Sequence, residues 1–180
     1  SASGHAVTLG DSSNNFGTLA ITGANVTATD TNAIILGAAT VSGTYSVTAG
    51  GDITDSGALM ITGASTFTAA SGQSVTLNNT NNFDGTVTFA AASGNLKNVT
   101  ITNTMALDLA AMTLAQVSSA GGDLTVTTGG PLTDSGALVI PGTTTITATG
   151  QVVELDHTSN NFATILFGSS SNAVSSVEVV

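Results

Sequence analysis

Residues Gly51 to Phe83, GDITDSGALMITGASTFTAASGQSVTLNNTNNF, return later in the chain as Gly130 to Phe162, GPLTDSGALVIPGTTTITATGQVVELDHTSNNF. Between Ile53–Gly63 and Leu132–Gly142 eight of eleven positions are identical, and one constant offset, that from Gly57 to Gly136, relates them all. An internal repeat of this length restricts the fold more than any single motif, because the structure must offer equivalent environments to equivalent segments.

Three segments share one frame: Gly4–Phe16 (GHAVTLGDSSNNF), Gly72–Phe83 (GQSVTLNNTNNF) and Gly150–Phe162 (GQVVELDHTSNNF). Each carries an apolar alternation (Val7/Leu9, Val75/Leu77, Val153/Leu155) and then a polar corner ending in Asn-Asn-Phe. Each is followed by a second alternation: Leu19/Ile21, Val87/Phe89 and Ile165/Phe167. Residues 1–180 therefore read as a single domain with a little over two copies of a unit of about 78 residues.

Further short alternating runs lie between these, including Tyr45/Val47, Leu59/Ile61, Val99/Ile101, Leu124/Val126 and Leu138/Ile140. Period two over three to five residues predicts strands, punctuated by Gly, Asn, Asp and Ser. Only Thr104–Val117 admits a helix, and its Leu107/Leu109/Met112/Leu114 spacing fits two strands with a corner equally well. A closed sandwich or barrel has no use for this self-similarity, whereas a solenoid stacks like residues on like. The expectation is all-β: a right-handed parallel β-helix of roughly nine coils of about 20 residues, with three-sided coils of about 26 as the alternative. Leu59, Ile61, Leu77, Phe89, Leu138, Ile140, Leu155 and Phe167 should face inward, and Lys97, Glu154 and His157 outward. Thr pairs such as Thr66/Thr68, Thr86/Thr88, Thr125/Thr127 and Thr145/Thr147 should line flat outer faces.

With 7% charged residues and 32 threonines, the surface is neutral and rich in hydroxyls. A net charge of −10 with Lys97 the only Lys or Arg disfavours nucleic acid and anionic membranes as partners. Cysteine is absent, which removes disulfides and thiolate metal sites. No apolar run approaches the roughly 20 residues a membrane span needs. Starting at Ser1 and ending on the alternating VSSVEVV, the chain reads as a mature product or a piece of something longer. Neither end carries a capping pattern, so both should stack on further coils of a longer chain or on other copies of this one.

The succession GDITDSGALMITGASTFTA and SVTLNNTNNFDGTVTF resembles the long repeat tracts of bacterial filamentous haemagglutinin-like adhesins, very large secreted β-helical surface proteins. The likeness is one of repeat style. It implies an extracellular, cell-surface location and a fibrous habit, and carries no catalytic signature.

Asp55-Ser56-Gly57 and Asp134-Ser135-Gly136 are similar to the loops of aspartic proteases, whose chemistry needs two carboxylates sharing a proton. Several coils should separate them, so they read as β-turns with Asp bonding backbone amides and Gly at positive φ. Asp156, His157 and Ser159 occupy a variable corner, and His5 has no partner histidine nearby. Glu154 and Asp108 should be solvated charges. Asp52, Asp55 and Asp84, with nearby Asn, are the only candidates for calcium, and the nonapeptide repeat that would support it is missing. Asn25, Asn78 and Asn98 begin N-x-[ST] triplets of the kind chance supplies in such a composition. At the corners Asn14/Asn15/Phe16, Asn81/Asn82/Phe83 and Asn160/Asn161/Phe162, Asn should take left-handed φ while Phe turns inward, and these corners are the places where host or surface glycans would bind.

No catalytic, cofactor or metal residues emerge, and the chain reads as a non-enzymatic adhesive fibre segment. The alternatives are an ice- or glycan-binding solenoid and a carbohydrate-active β-helix enzyme. Ice binding would want Thr-x-Thr at one place in every coil, yet in the repeat frame Thr86/Thr88 becomes Thr18/Ala20 and Thr164/Leu166.

Overall fold

The computed structural model describes residues 1–168 and 173–180. Among these there is no helix, and Thr104–Val117 resolves into short strands around a corner. One sheet, sheet 1, stacks β1 (Val7–Leu9), β3 (Val26–Asp30), β5 (Tyr45–Ala49), β8 (Ser65–Ala69), β10 (Val87–Ala91), β12 (Leu107–Leu109), β17 (Leu132–Asp134), β19 (Val152–Leu155) and β21 (Ser176–Val179). Sheet 2, opposite, stacks β2 (Thr18–Gly23), β4 (Ile34–Val41), β6 (Ile53–Asp55) with β7 (Leu59–Ile61), β9 (Val75–Phe83), β11 (Val99–Asn103), β16 (Leu124–Thr128), β18 (Leu138–Thr147) and β20 (Asn161–Phe167). β13 (Met112–Thr113) pairs with the start of β18. Every pairing within these sheets is parallel; β14 (Gln116–Val117) and β15 (Ala120–Gly121) form a separate antiparallel hairpin.

The chain is therefore a parallel β-solenoid, and its nine rungs on sheet 1 span about eight turns rather than nine coils. Turn length varies along the chain. The interval from Val7 to Val26 equals that from Val26 to Tyr45, the interval from Ser65 to Val87 is longer, and that from Leu107 to Leu132 is longer again because it carries the hairpin. A short third side accounts for the remaining length. In the early turns it follows sheet 2, as at residues 39–41, 59–61 and 81–83; in the later turns it follows sheet 1, as at 112–113, 138–140 and 161–162.

That change of side comes from the repeat. Ile53 stands on sheet 2 between Ile34 and Val75, whereas its equivalent Leu132 stands on sheet 1 between Leu107 and Val153. Ser65 and Thr144 exchange sheets in the opposite sense. Val7, Val75 and Val153 fall on sheets 1, 2 and 1. One unit thus occupies three and a half turns, and successive units are related by a half-turn about the solenoid axis with a rise of roughly 17 Å at about 4.8 Å per turn.

The core is a continuous column of stacked apolar residues, as the alternation predicts. Leu59, Ile61, Leu77, Leu138, Ile140, Leu155 and Phe89 are all buried. Tyr45, Phe67, Phe83 and Phe89 form an aromatic cluster inside, with Phe67 edge-on to Tyr45 and Phe83 and stacked on Phe89. Phe167 departs from expectation: it points inward opposite Ile146 yet is 37% exposed, because no later turn of sheet 2 among the described residues lies over it. Lys97 is half-buried rather than exposed, its stem lying under Gly121 of the hairpin, where long cationic side chains shelter their methylenes. His157 is also half-buried; Glu154 is exposed.

Candidate functional site

Each candidate carboxylate and amide is best understood from the turn above or below it. Asp55 ends β6 and faces the next corner. Its Oδ1 accepts hydrogen bonds from the Asn78 N–H and the Asn79 Nδ2 at 3.0 Å each, and its Oδ2 accepts from the Asn81 Nδ2 at 2.8 Å. Asn81 is fully buried. Its Oδ1 accepts the Leu59 N–H at 2.9 Å and its Nδ2 also donates to Leu77 O. The second copy repeats this set: Asn160 donates to Asp134 Oδ2 at 2.8 Å and to Leu155 O at 3.0 Å, and accepts the Leu138 N–H at 2.8 Å. Asn14 makes the matching bond to Leu9 O.

The Asp-Ser-Gly and Asn-Asn-Phe motifs are thus two halves of one clasp between adjacent turns. Asp55 and Asp134 lie on opposite sheets and three and a half turns apart, so they form no acid pair. Their glycines are required for a different reason from the one expected. Gly57 and Gly136 do not have positive φ; a Cβ at Gly57 would stand 2.6 Å from Ala38 N, and at Gly136 2.5 Å from Ala111 N, both on the preceding turn. Left-handed φ is found instead at the glycines that open the shared frame, Gly4, Gly72 and Gly150, and at Gly94, Gly121 and Gly122. The corner asparagines do not adopt it either. Among the described residues, the non-glycine residues that do are Ser118 and Ser119, which close the hairpin. Phe83 turns inward as expected, while Phe16 and Phe162 are half-buried near the two ends of the described stack.

The sequence does not by itself give a fastening role to four further corner residues, Asn25 ahead of a sheet-1 strand and Asp52, Asn98 and Asp123 ahead of sheet-2 strands. Asn25, Asp52, Asn98 and Asp123 accept the N–H of Thr44, Ser74, Asp123 and Thr143, each on the following turn, at 2.7–3.1 Å. The signal was present, because each stands immediately before a strand beginning Val, Ile or Leu. Asp30 and Asn103 are buried and accept the N–H of Phe16 and Phe83. Asp52 and Asp55 are therefore committed to backbone and amide donors, and Asp84 is exposed apart from them. No group of three His, Cys, Asp or Glu suited to a metal occurs among the described residues. His157 Nδ1 accepts the Ser159 N–H at 3.2 Å, and the Asp156 N–H points to Asp134; the three residues make a corner, not a relay.

The outer faces are more regular than the repeat frame suggested. On sheet 2, Thr54, Thr76, Thr100, Thr125 and Thr145 pair rung upon rung through five turns, flanked by Ile35 and Leu166. On sheet 1 Thr8, Thr27, Ser46, Thr66 and Thr88 do the same. Thr86/Thr88 and Thr18/Ala20 lie on opposite sheets, so the repeat frame does not show the rows. Further along sheet 1 a second outward column runs Asp108, Thr133, Glu154, Glu178, and Asp108 accepts hydrogen bonds from Thr86 and Thr133 rather than standing free in solvent.

The sequence model of the family described as Repeats of unknown function (DUF5649) matches residues 23–90 and again 96–167. The chain belongs to that family. The two matches follow one another much as the two units of the solenoid do, so the family's repeat and the three-and-a-half-turn unit coincide closely. No curated protein and no solved structure matches the chain. It is a repeat protein with a β-solenoid fold.

Proposed function

We propose that this chain is a segment of an extracellular structural and adhesive fibre of a bacterial surface protein, stacked end to end with further coils. The observation that carries the reading is the clasp: the side chains the sequence offers for chemistry are used to fasten one turn to the next, in the same way in both copies. A rod built so needs no enzyme chemistry, and we read the chain as non-enzymatic, with no cofactor. Its style of repeat, similar to that of the filamentous haemagglutinin-like adhesins, supports a place at the cell surface, and its acidity suits partners without phosphate, such as glycans met by the exposed corner residues Asn15 and Asn161. Immuno-electron microscopy of intact source cells tests this: antibody to the chain should decorate thin rods outside the envelope, and labelling confined to permeabilised cells would overturn it.

The hydroxyl rows favour a second reading, binding to ice. Five stacked threonines on sheet 2 repeat at about 4.8 Å, and Thr102, Thr127 and Thr147 form a second column beside the last three, an array of hydroxyls and methyls suited to an ordered water lattice. Thermal hysteresis of the purified chain that disappears in Thr100→Tyr or Thr125→Tyr would move the assignment to this reading; its absence leaves the fibre.

A further inference from the structure

The last rungs leave Phe167 (37%), Val177 (45%) and Val179 (38%) exposed although their rung partners Ile146, Val153 and Leu155 are inward and buried. Their equivalents one unit earlier show what this face is built to meet. Val177 corresponds to Val99, Val179 to Ile101 and Phe167 to Phe89, and those three are 0%, 0% and 3% exposed because another turn lies over them. Phe162 corresponds to Phe83, whose N–H is held by Asn103 of the next turn. A groove of about 340 Å³ lies on this face, lined by Phe162, Ile165, Val179 and Val180 among others.

We propose that the face formed by β20 and β21 is a docking surface for a second copy of the repeat unit, and that the copy it accepts is turned by half a turn about the solenoid axis. This rests on the fibre reading above. The half-turn follows from the register. Val26, Val99 and Val177 are equivalent, and they stand on sheets 1, 2 and 1. A unit that continues from Val180 in frame therefore lays its own sheet-2 type rungs over sheet 1. It brings the equivalent of Asn103 beside Phe162, where the amide repeats the bond it makes to Phe83. A copy docked without the rotation would set the short third side of its turns over a bare corner and leave Phe162 without that amide. In an array, every feature of a unit is then shown alternately on opposite edges, with a step of roughly 17 Å.

The test joins a second copy of residues 103–180 directly after Val180 of the full chain, and compares it with the same copy attached through a flexible Gly/Ser linker of about 40 residues. Docking predicts one cooperative transition for the direct fusion, with a midpoint at least about 4 °C above that of the parent chain. Spin labels at Ala120→Cys in both copies should lie on opposite edges, separated by well over the roughly 17 Å axial step. Two separate transitions in the direct fusion would overturn docking and the end-to-end fibre together. One raised transition with the labels separated by no more than that axial step would overturn the half-turn alone. A continuous rod combined with antibody labelling only inside cells would remove the proposed location and leave the docking intact.

Discussion

Asp55 and Asn81, 26 residues apart in sequence, meet at 2.8 Å across one turn, and Asp134 and Asn160 meet at the same distance on the opposite edge three and a half turns on. Asn81 is the more deeply enclosed of the two amides, so it carries the sharper expectation. Asn81→Ala leaves the buried Leu59 N–H without an acceptor and takes one of Asp55's donors, the Asn78 and Asn79 donors remaining, and should cost about 2–4 kcal/mol in urea unfolding. Asp55→Ala should cost a similar amount, and the double variant clearly less than the sum, since both remove one clasp. Strict additivity would mean that the two residues act independently and that the clasp is not a unit.

Much of the fold was legible because the two signals that mattered are local. Period-two alternation placed Leu59, Ile61, Leu138 and Ile140 inward, and the repeat excluded a closed barrel. The rotation between units was not legible. A unit holds an odd number of half-turns, and only the pairing of Leu132 with Leu107 rather than with a sheet-2 rung reveals it. For the same reason the repeat frame hides the threonine rows, because it sets residues of opposite sheets side by side. The Asp-Ser-Gly and Asn-Asn-Phe motifs were each visible, but their meeting depends on turn length, which is not constant: the turn from Val7 to Val26 is shorter than the one from Leu107 to Leu132. Exposure of Phe167 depends on what covers its rung, a property no residue of β20 encodes.

Tyr45, the only tyrosine, is buried with its hydroxyl unpaired, and burial holds its phenol well above the ordinary range. Tyr45→Phe keeps the ring packed against Phe67 and removes a desolvated hydroxyl, so stability at pH 7 should stay equal or rise by about 1 kcal/mol. The pH dependence has a definite sign. The unfolded phenol ionises near pH 10 while the folded one stays protonated, so the unfolded state binds fewer protons above that pH and stability falls as pH rises. The wild-type chain should lose stability between about pH 10 and 11 that Tyr45→Phe retains, as read by urea midpoints at each pH; equal losses in the two proteins would place Tyr45 in solvent.

Gly57 and Gly136 test whether the turns are in contact through backbone. Each has ordinary φ, so alanine would be acceptable locally, yet its Cβ would strike the amide of the preceding turn. Gly57→Ala and Gly136→Ala should each lower stability by roughly 1–3 kcal/mol through overpacking. Gly4→Ala meets open space and pays only for its left-handed φ, about 1–2 kcal/mol. A neutral Gly57→Ala would show that the turns sit farther apart at this corner.

Leu138 and Phe167 both point into the solenoid, and their difference isolates the effect of a covering turn. Leu138 is fully enclosed between β13 and β20, so Leu138→Ala opens a cavity and should cost about 2–5 kcal/mol. Phe167 has Ile146 on one side and is 37% exposed, so the larger truncation Phe167→Ala should cost less than about 2 kcal/mol, because the removed atoms already touch water and little void is left. In the chain extended by a second unit the ranking should change. Once a further turn lies over β20, Phe167 takes the surroundings Phe89 has now, and its truncation should approach the roughly 3–5 kcal/mol of a buried aromatic. Denaturant titration of Leu138→Ala and Phe167→Ala in both chains reads this directly. A Phe167→Ala cost that stays the same in the longer chain would show that the added unit leaves the end of the core open.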